Sequence, residues 1–317
     1  MNPSPPLRRL TKITDLSPTE IDAIVENAFS YKKTRDHNQS DAPILKGKTI
    51  ALVFEKPSLR TKVAFETAIA SLGGTAVFLA GVEIFKRVDG VTREKTSDIA
   101  HVLERYCDAI VARVHSHQSI LEMAECVSIP VINALCDLHH PTQGLADLMA
   151  IRWHKPNQKK LKIAFVGDGS NVAVSLFQSC IMAGFDCVHG GHAAYKIPDD
   201  IWQETLQLAK QSGGSLSFTL DPKIAARDAD VIYADTFVSM GDEAETTKRL
   251  KDLAPYCVTE ELMSLAKPDA IFLHDLPAHR REEVTAGVFD GPQSKVFDLA
   301  ECRMHAAKAL LEFFLPR

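Results

Sequence analysis

The most constraining feature of this chain is an alternation. Apolar runs of four to six residues recur between amphipathic stretches of ten to fifteen. The runs at 49–54, 75–79, 109–112, 130–135, 162–166, 215–220, 231–234 and 270–273 read as buried strands. Between them, 58–72, 94–106, 118–127, 143–153, 171–183, 199–211 and 243–253 read as helices. Parallel neighbours need a long crossover, and a helix of this length supplies one, so the order implies βαβ units and parallel sheets. An opening helix is marked by Ser17-Pro18-Thr19-Glu20, a capping box with proline at the first helical position.

Length turns the alternation into two domains. The 317 residues fit a prior of roughly 150 residues each. The polar stretch 153–160 interrupts the pattern between two sets of about four strands. The expected division is therefore 1–150 and 151–298, with an amphipathic helix at about 299–314 packing back on the first domain. The fold class is α/β, two doubly wound parallel sheets. No internal repeat and no low-complexity tract appears.

Composition removes several function classes. With 45% hydrophobic and 24% charged residues the chain reads as ordinary globular. A net charge of −5 and a pI near 6.2 argue against a nucleic-acid surface. No run approaches the ~18 apolar residues of a membrane span, and the Pro-rich start has no signal-peptide core. The seven cysteines are scattered, none in C-x-x-C, which points to buried thiols in a reducing cytoplasm.

Five segments carry chemistry. Ser58-Leu59-Arg60-Thr61-Lys62 follows a strand and a proline turn. A helix N-terminus there, with two hydroxyls and a guanidinium, forms an oxyanion cradle of phosphate type; a plain Ser cap with solvated Arg and Lys is the bland alternative. His139-His140-Pro141-Thr142-Gln143 also sits beyond a strand end, where such folds bind ligands, although Gln143 could merely decorate a helix start. Gly167-Asp168-Gly169-Ser170-Asn171-Val172 resembles a dinucleotide fingerprint superficially. Val172 stands where the third glycine belongs, which argues against a nicotinamide cofactor. Asp235-Thr236-Phe237-Val238-Ser239-Met240-Gly241 and His274-Asp275-Leu276-Pro277 offer acids and a hydroxyl suited to an amino acid, or plain loop chemistry. Arg303 by itself reads as a surface arginine.

Taken together, from about Lys46 to Leu311, these motifs resemble the aspartate/ornithine carbamoyltransferase family. Ser-x-Arg-Thr-Lys (58–62), His-Pro-x-Gln (140–143) and Asp235 to Gly241 with Ser-Met-Gly are specific to it, and the last points to the ornithine branch. The resemblance implies carbamoyl transfer from carbamoyl phosphate to L-ornithine, giving citrulline and phosphate. It also implies a carbamoyl-phosphate domain followed by an ornithine domain, a homotrimer with active sites at subunit interfaces, and no metal or cofactor. By motif, Ser58, Leu59 (through its N–H), Arg60 and Thr61 hold the phosphate, and Arg303 adds a contact. Arg113 and His140 polarise the carbonyl, and Gln143 orients the carbamoyl amide. Asn171, Asp235, Ser239, Met240 and Leu276 face ornithine.

Three departures follow from the same resemblance. Asp275 stands where the branch has cysteine. A carboxylate there either favours the charged δ-ammonium, opposing attack, or accepts its proton. This raises the rival expectation of a different amine acceptor; a rival of another class is a non-catalytic paralogue that keeps the fold. Leu59 replaces a common threonine, which a backbone contact tolerates. The loop 81–92 is about four residues longer than usual, and Lys86 or Arg87 could reach the neighbouring site.

Overall fold

The computed structural model describes residues 9–81, 87–88, 91–92, 94–156, 158–238 and 243–315, with the backbone alone at 87–88, 91–92 and 243. By internal contacts the chain divides into two units, residues 1–145 with 302–317, and residues 146–301.

In the first unit five strands pair in parallel. They are β1 (Arg9–Leu10), β2 (Thr49–Phe54), β3 (Thr75–Ala80), β6 (Ala109–Arg113) and β7 (Val131–Leu135), in the order β1-β7-β6-β2-β3. A two-residue antiparallel pair, β4 (Arg87–Val88) and β5 (Val91–Thr92), lies in the long 81–92 loop. The chain runs from β2 out to β3 and returns on the other side of β2 as β6, so the winding reverses there. Such a switch point leaves a crevice beyond the strands' C-terminal ends. Strand β2 ends at Phe54, opposite Arg113 at the end of β6. The helices are α1 (Pro18–Asp36), α2 (Leu59–Ser71), α3 (Thr96–Tyr106) and α4 (His117–Cys126). Ala51, Val53, Ile110, Ala112 and Val131 of the sheet pack with Ile99, Leu103, Ile120 and Met123 of α3 and α4. Each buried Val, Ile, Leu or Met side chain contributes roughly 1.5–3 kcal/mol.

The second unit repeats the plan with β8 (Lys162–Val166), β9 (Asp186–Gly190), β10 (Ser215–Thr219), β11 (Val231–Ala234) and β12 (Ile271–His274), in the parallel order β10-β9-β8-β11-β12. The switch point falls between β8 and β11, where Val166 and Ala234 open into the Gly167 and Asp235 turns. Helix α5 (Pro141–His154) contains the division at Leu145, and α6 (Asn171–Met182) is buried from Val172 to Ile181. Helices α7 (Asp199–Ser212), α8 (Pro222–Ala226), α9 (Thr246–Leu253), α10 (Glu260–Ser264) and α11 (Ala286–Phe289) follow.

The last helix, α12 (Val296–Phe314), returns from Cys302 onward to the first unit. Glu312 Oε2 accepts from Asn27 Nδ2 at 2.7 Å and from Tyr31 Oη at 2.6 Å. Lys308 Nζ meets Asp41 Oδ2 at 2.5 Å, with both side chains buried.

Three differences from the sequence reading matter most. Strand β9 went unread because its residues, Asp-Cys-Val-His-Gly, carry little apolar signal. Its His189 is fully buried, with Nε2 3.0 Å from the Gly167 carbonyl and the ring among Phe165, Phe177 and Phe218. The runs at 75–79 and 215–220 are edge strands and only partly buried, because each pairs on one side alone. The helix expected over 243–253 starts instead as a 3-10 turn, Glu243–Glu245, before α9. No helix among the described residues is long and apolar enough to cross a membrane. All seven cysteines are free thiols, and five are buried.

Candidate active site

In the first unit the crevice is built from three strand ends. After β2, Pro57 turns the chain and Ser58 caps α2, its Oγ accepting from Thr61 N–H at 3.2 Å. The first turn of α2 therefore directs backbone N–H groups and partial positive charge out of its end. From β6 comes Arg113, whose Nη1 lies 3.4 Å from Thr61 Oγ1. From α12 comes Arg303, whose Nη2 donates to the same oxygen at 2.7 Å. Thr61, Arg113 and Arg303 are all buried, so two guanidinium groups converge on one hydroxyl at a helix N-terminus. That concentrates positive charge where water is scarce, the condition for strong anion binding.

His140 enters from the loop after β7. Burial pushes its pKa well below the usual histidine value, and the positive charges of Arg303, Arg113 and Arg60 push it further. The ring is therefore neutral near pH 7. Thr142 Oγ1 lies 3.3 Å from His140 Nδ1. When that hydroxyl donates, the ring proton sits on Nε2, leaving a neutral donor. Gln143 is fully buried, and its N–H donates to the His140 carbonyl at 2.9 Å. Arg60 is half-buried. Leu59 is 74% exposed, so its side chain points to solvent and only its backbone can serve the crevice.

The second unit gathers its own set. Asp235 follows β11, buried; its Oδ2 accepts from Ser170 Oγ at 2.8 Å and its Oδ1 from Thr236 N–H at 2.7 Å. His274 ends β12, and ligand atoms of Asp235, His274 and Asp275 lie within 4.8 Å of one another. Could these hold a metal? Leu276 N–H donates to His274 Nδ1 at 2.9 Å, which occupies that lone pair, and Nε2 faces Glu283 Oε1 at 3.3 Å. Both ring nitrogens are thus engaged by the chain, and the 3.7 Å approach of Nδ1 to Asp275 Oδ1 sets acceptor against acceptor. The cluster reads as an acidic pocket for a cationic group. Leu276 adopts φ +66°, a left-handed conformation costly for a branched side chain. Tyr233 Oη donates to Asp147 Oδ1 at 2.9 Å. Burial and then Asp147, Asp275 and Asp235 push its pKa well above the ordinary tyrosine value, so it stays a neutral donor.

Asn171 is the first residue of α6, beside the Gly167–Ser170 turn. Gly169 is required there for packing: a Cβ would stand 2.4 Å from Ile197 N and 2.7 Å from Lys196 C. The glycines that imitate a dinucleotide fingerprint thus admit the chain's own atoms, backbone at Gly169 and the Phe237 ring at Gly167. Ser239, Met240 and Lys86 lie outside the described residues, and of Arg87 only the backbone is described.

Several residues escaped the sequence reading. Lys56, two residues after β2, is buried to 5% exposure; nothing in the string separates it from a solvated lysine. Ser170, Tyr233 and Arg249 emerge only from contacts across the fold. Arg303 lies 242 positions from Thr61; the resemblance gave each a place at carbamoyl phosphate, and the contact between them comes from the fold.

The profile of the aspartate/ornithine carbamoyltransferase carbamoyl-P binding domain matches residues 8–153, and that of the Asp/Orn binding domain matches 159–314. The chain belongs to the aspartate/ornithine carbamoyltransferase family. Among its relatives, ornithine carbamoyltransferase of Bacillus subtilis is 45% identical, over 96% of this chain and 93% of that protein. That of Pyrococcus abyssi is 44% identical, over 97% and 96%. The solved ornithine carbamoyltransferase of Pyrococcus furiosus superposes with a TM-score of 0.92 at 42% identity, covering 98% of this chain and 97% of that one. The anabolic enzyme of Campylobacter jejuni gives 0.90 at 37%, covering 97% and 98%. These relatives belong to the ornithine branch, and none of their names supports another acceptor or a non-catalytic paralogue.

Proposed function

We propose that this chain transfers the carbamoyl group of carbamoyl phosphate to the δ-amine of L-ornithine, forming L-citrulline and phosphate. The observation that carries the reading is the convergence of Arg113 and Arg303 on Thr61 Oγ1, at the N-terminus of α2 and beside neutral His140.

In this reading Ser58, the Leu59 N–H, Arg60 and Thr61 hold the phosphate, and Arg303 adds charge. Arg113 and His140 donate to the carbamoyl oxygen, and Gln143 orients the amide. Asn171, Asp235, Ser239, Met240 and Leu276 hold the amino acid. The amine attacks the carbonyl carbon, a C–N bond forms, and the carbonyl electrons move to oxygen. Fixed donors aimed at that oxyanion supply the largest catalytic contribution. Collapse breaks the C–O bond to phosphate, and the nitrogen loses a proton. Ornithine arrives as the ammonium, so a proton must also leave before attack. Asp275, a carboxylate close to Asp235, is the residue we assign to accept it.

The proposal extends to assembly and place. Leu59 and Val63 on α2, and Val102 and Tyr106 on α3, are exposed apolar pairs at i,i+4 spacing. They fit a subunit interface of a homotrimer, which would scatter light at three times the 34.9 kDa of one chain. The free thiols fit a cytoplasmic protein.

The test is formation of the carbamoylated product from carbamoyl phosphate with ornithine, set against putrescine, N-acetylornithine and aspartate. Turnover with ornithine alone supports the reading. Turnover with another amine and none with ornithine overturns it.

A further inference from the structure

Both ends of the segment that joins β11 to α9 are fastened to a single turn, Gly167-Asp168-Gly169-Ser170. At the entry, Ser170 Oγ donates to Asp235 Oδ2 at 2.8 Å. Two residues on, Phe237 is fully buried, with its ring 3.1 Å from where a Cβ on Gly167 would stand. Gly167 holds φ +127°, so both backbone and space demand glycine there. At the exit, Arg249 of α9 donates from Nη1 to Asp168 Oδ2 at 3.0 Å, both side chains being largely buried.

A second set of contacts ties α9 to the same place. The Arg249 guanidinium lies 4.8 Å from the Tyr195 ring centre. Tyr195 Oη donates to Asp252 Oδ2 at 2.9 Å and accepts from Lys248 Nζ at 2.8 Å. The Tyr195 carbonyl in turn accepts from Gly169 N–H at 2.7 Å. The turn is therefore the common base for Asp235, for the start of α6 with Asn171, and for the helix that follows the Ser239–Met240 segment. None of these supports comes from the first unit's anion crevice.

We propose that Asp168 and Arg249 are positioning residues for the acceptor half of the reaction, fixing the acceptor-binding residues through this turn without touching the carbamoyl donor. The inference rests on the function proposed above. A held site is worth more than its contacts, because a displacement of about 1 Å at a remote residue can cost on the order of a hundredfold in rate. A partly buried ion pair holds a helix start more rigidly than an exposed one, since water and salt screen it less.

The test is steady-state citrulline formation by the full chain, varying each substrate at saturation of the other. Arg249→Gln is expected to raise KM for ornithine by about tenfold or more, with KM for carbamoyl phosphate within about twofold of the parent. Asp168→Ala moves ornithine KM the same way, and the double variant is no worse than the worse single one, because the two act through one contact. Arg249→Lys, which keeps the charge, recovers most of the loss. An ornithine KM within about twofold of the parent in both single variants, or a matched rise in both KM values, overturns the inference. So does failure of both Arg249→Gln and Asp168→Ala to fold, which would assign the pair to stability alone. A parent chain that makes no citrulline would instead sink the functional reading, and the two failures are thereby told apart.

Discussion

Thr61→Val removes a hydroxyl and keeps the shape. In the folded chain that oxygen accepts from Arg303 at 2.7 Å and from Arg113 at 3.4 Å, in a site where all three residues are buried. A hydrogen bond to a charged group is worth about 1.5–3 kcal/mol. The short contact counts near the top of that range and the long one adds little, so about 2–3 kcal/mol of guanidinium positioning is lost. At 1.4 kcal/mol per factor of ten, kcat/KM for carbamoyl phosphate should fall about 30- to 150-fold. The Ser58 cap on the Thr61 N–H survives, so α2 still starts where it does. Initial-rate citrulline assays at saturating ornithine measure the loss, and a urea titration of the same variant measures any loss of stability. A fall of less than about threefold, or one confined to KM for ornithine, would refute the claim that this hydroxyl organises the two arginines at the donor site.

Other outcomes follow from the same geometry. Asp275→Asn should lower kcat about a hundredfold or more if the carboxylate takes the ammonium proton, with KM for carbamoyl phosphate unchanged; an undiminished kcat removes it from the chemistry. His189 is held neutral, its pKa pushed down from 6.5 to about 4 by burial. Unfolded chains gain a proton below 6.5 that the folded chain refuses until about pH 4, so this contribution is intact above pH 6.5 and is lost as pH falls across that window. Between pH 7 and 5 it amounts to about 2 kcal/mol, and His189→Phe should shrink the pH dependence of urea unfolding by that amount. An unchanged slope would contradict it. Asp41→Ala strips Lys308 of its buried carboxylate and should cost about 3–5 kcal/mol in the same titration, whereas a loss under about 1 kcal/mol would mean the lysine finds water.

The strands at 49–54, 162–166 and 231–234 were readable to the residue because they are central and buried on both faces, and their apolar runs have no competing signal. Strand β9 was not, because a buried histidine satisfied by the Gly167 carbonyl looks in sequence like a loop residue. The donor site was legible where its members are adjacent, as in Ser58 to Thr61, since helix-start chemistry is local. Arg303 acquires meaning only from a hydroxyl brought to it by folding. Arg249 had no signal at all, because its partner Asp168 sits 81 positions earlier.

The most direct measurement is a crystal structure of the chain with carbamoyl phosphate bound. The account predicts phosphate oxygens within hydrogen-bond distance of the backbone N–H groups at the start of α2, and the carbamoyl oxygen facing Arg113 and His140. A ligand seated elsewhere, with that turn empty, would contradict it.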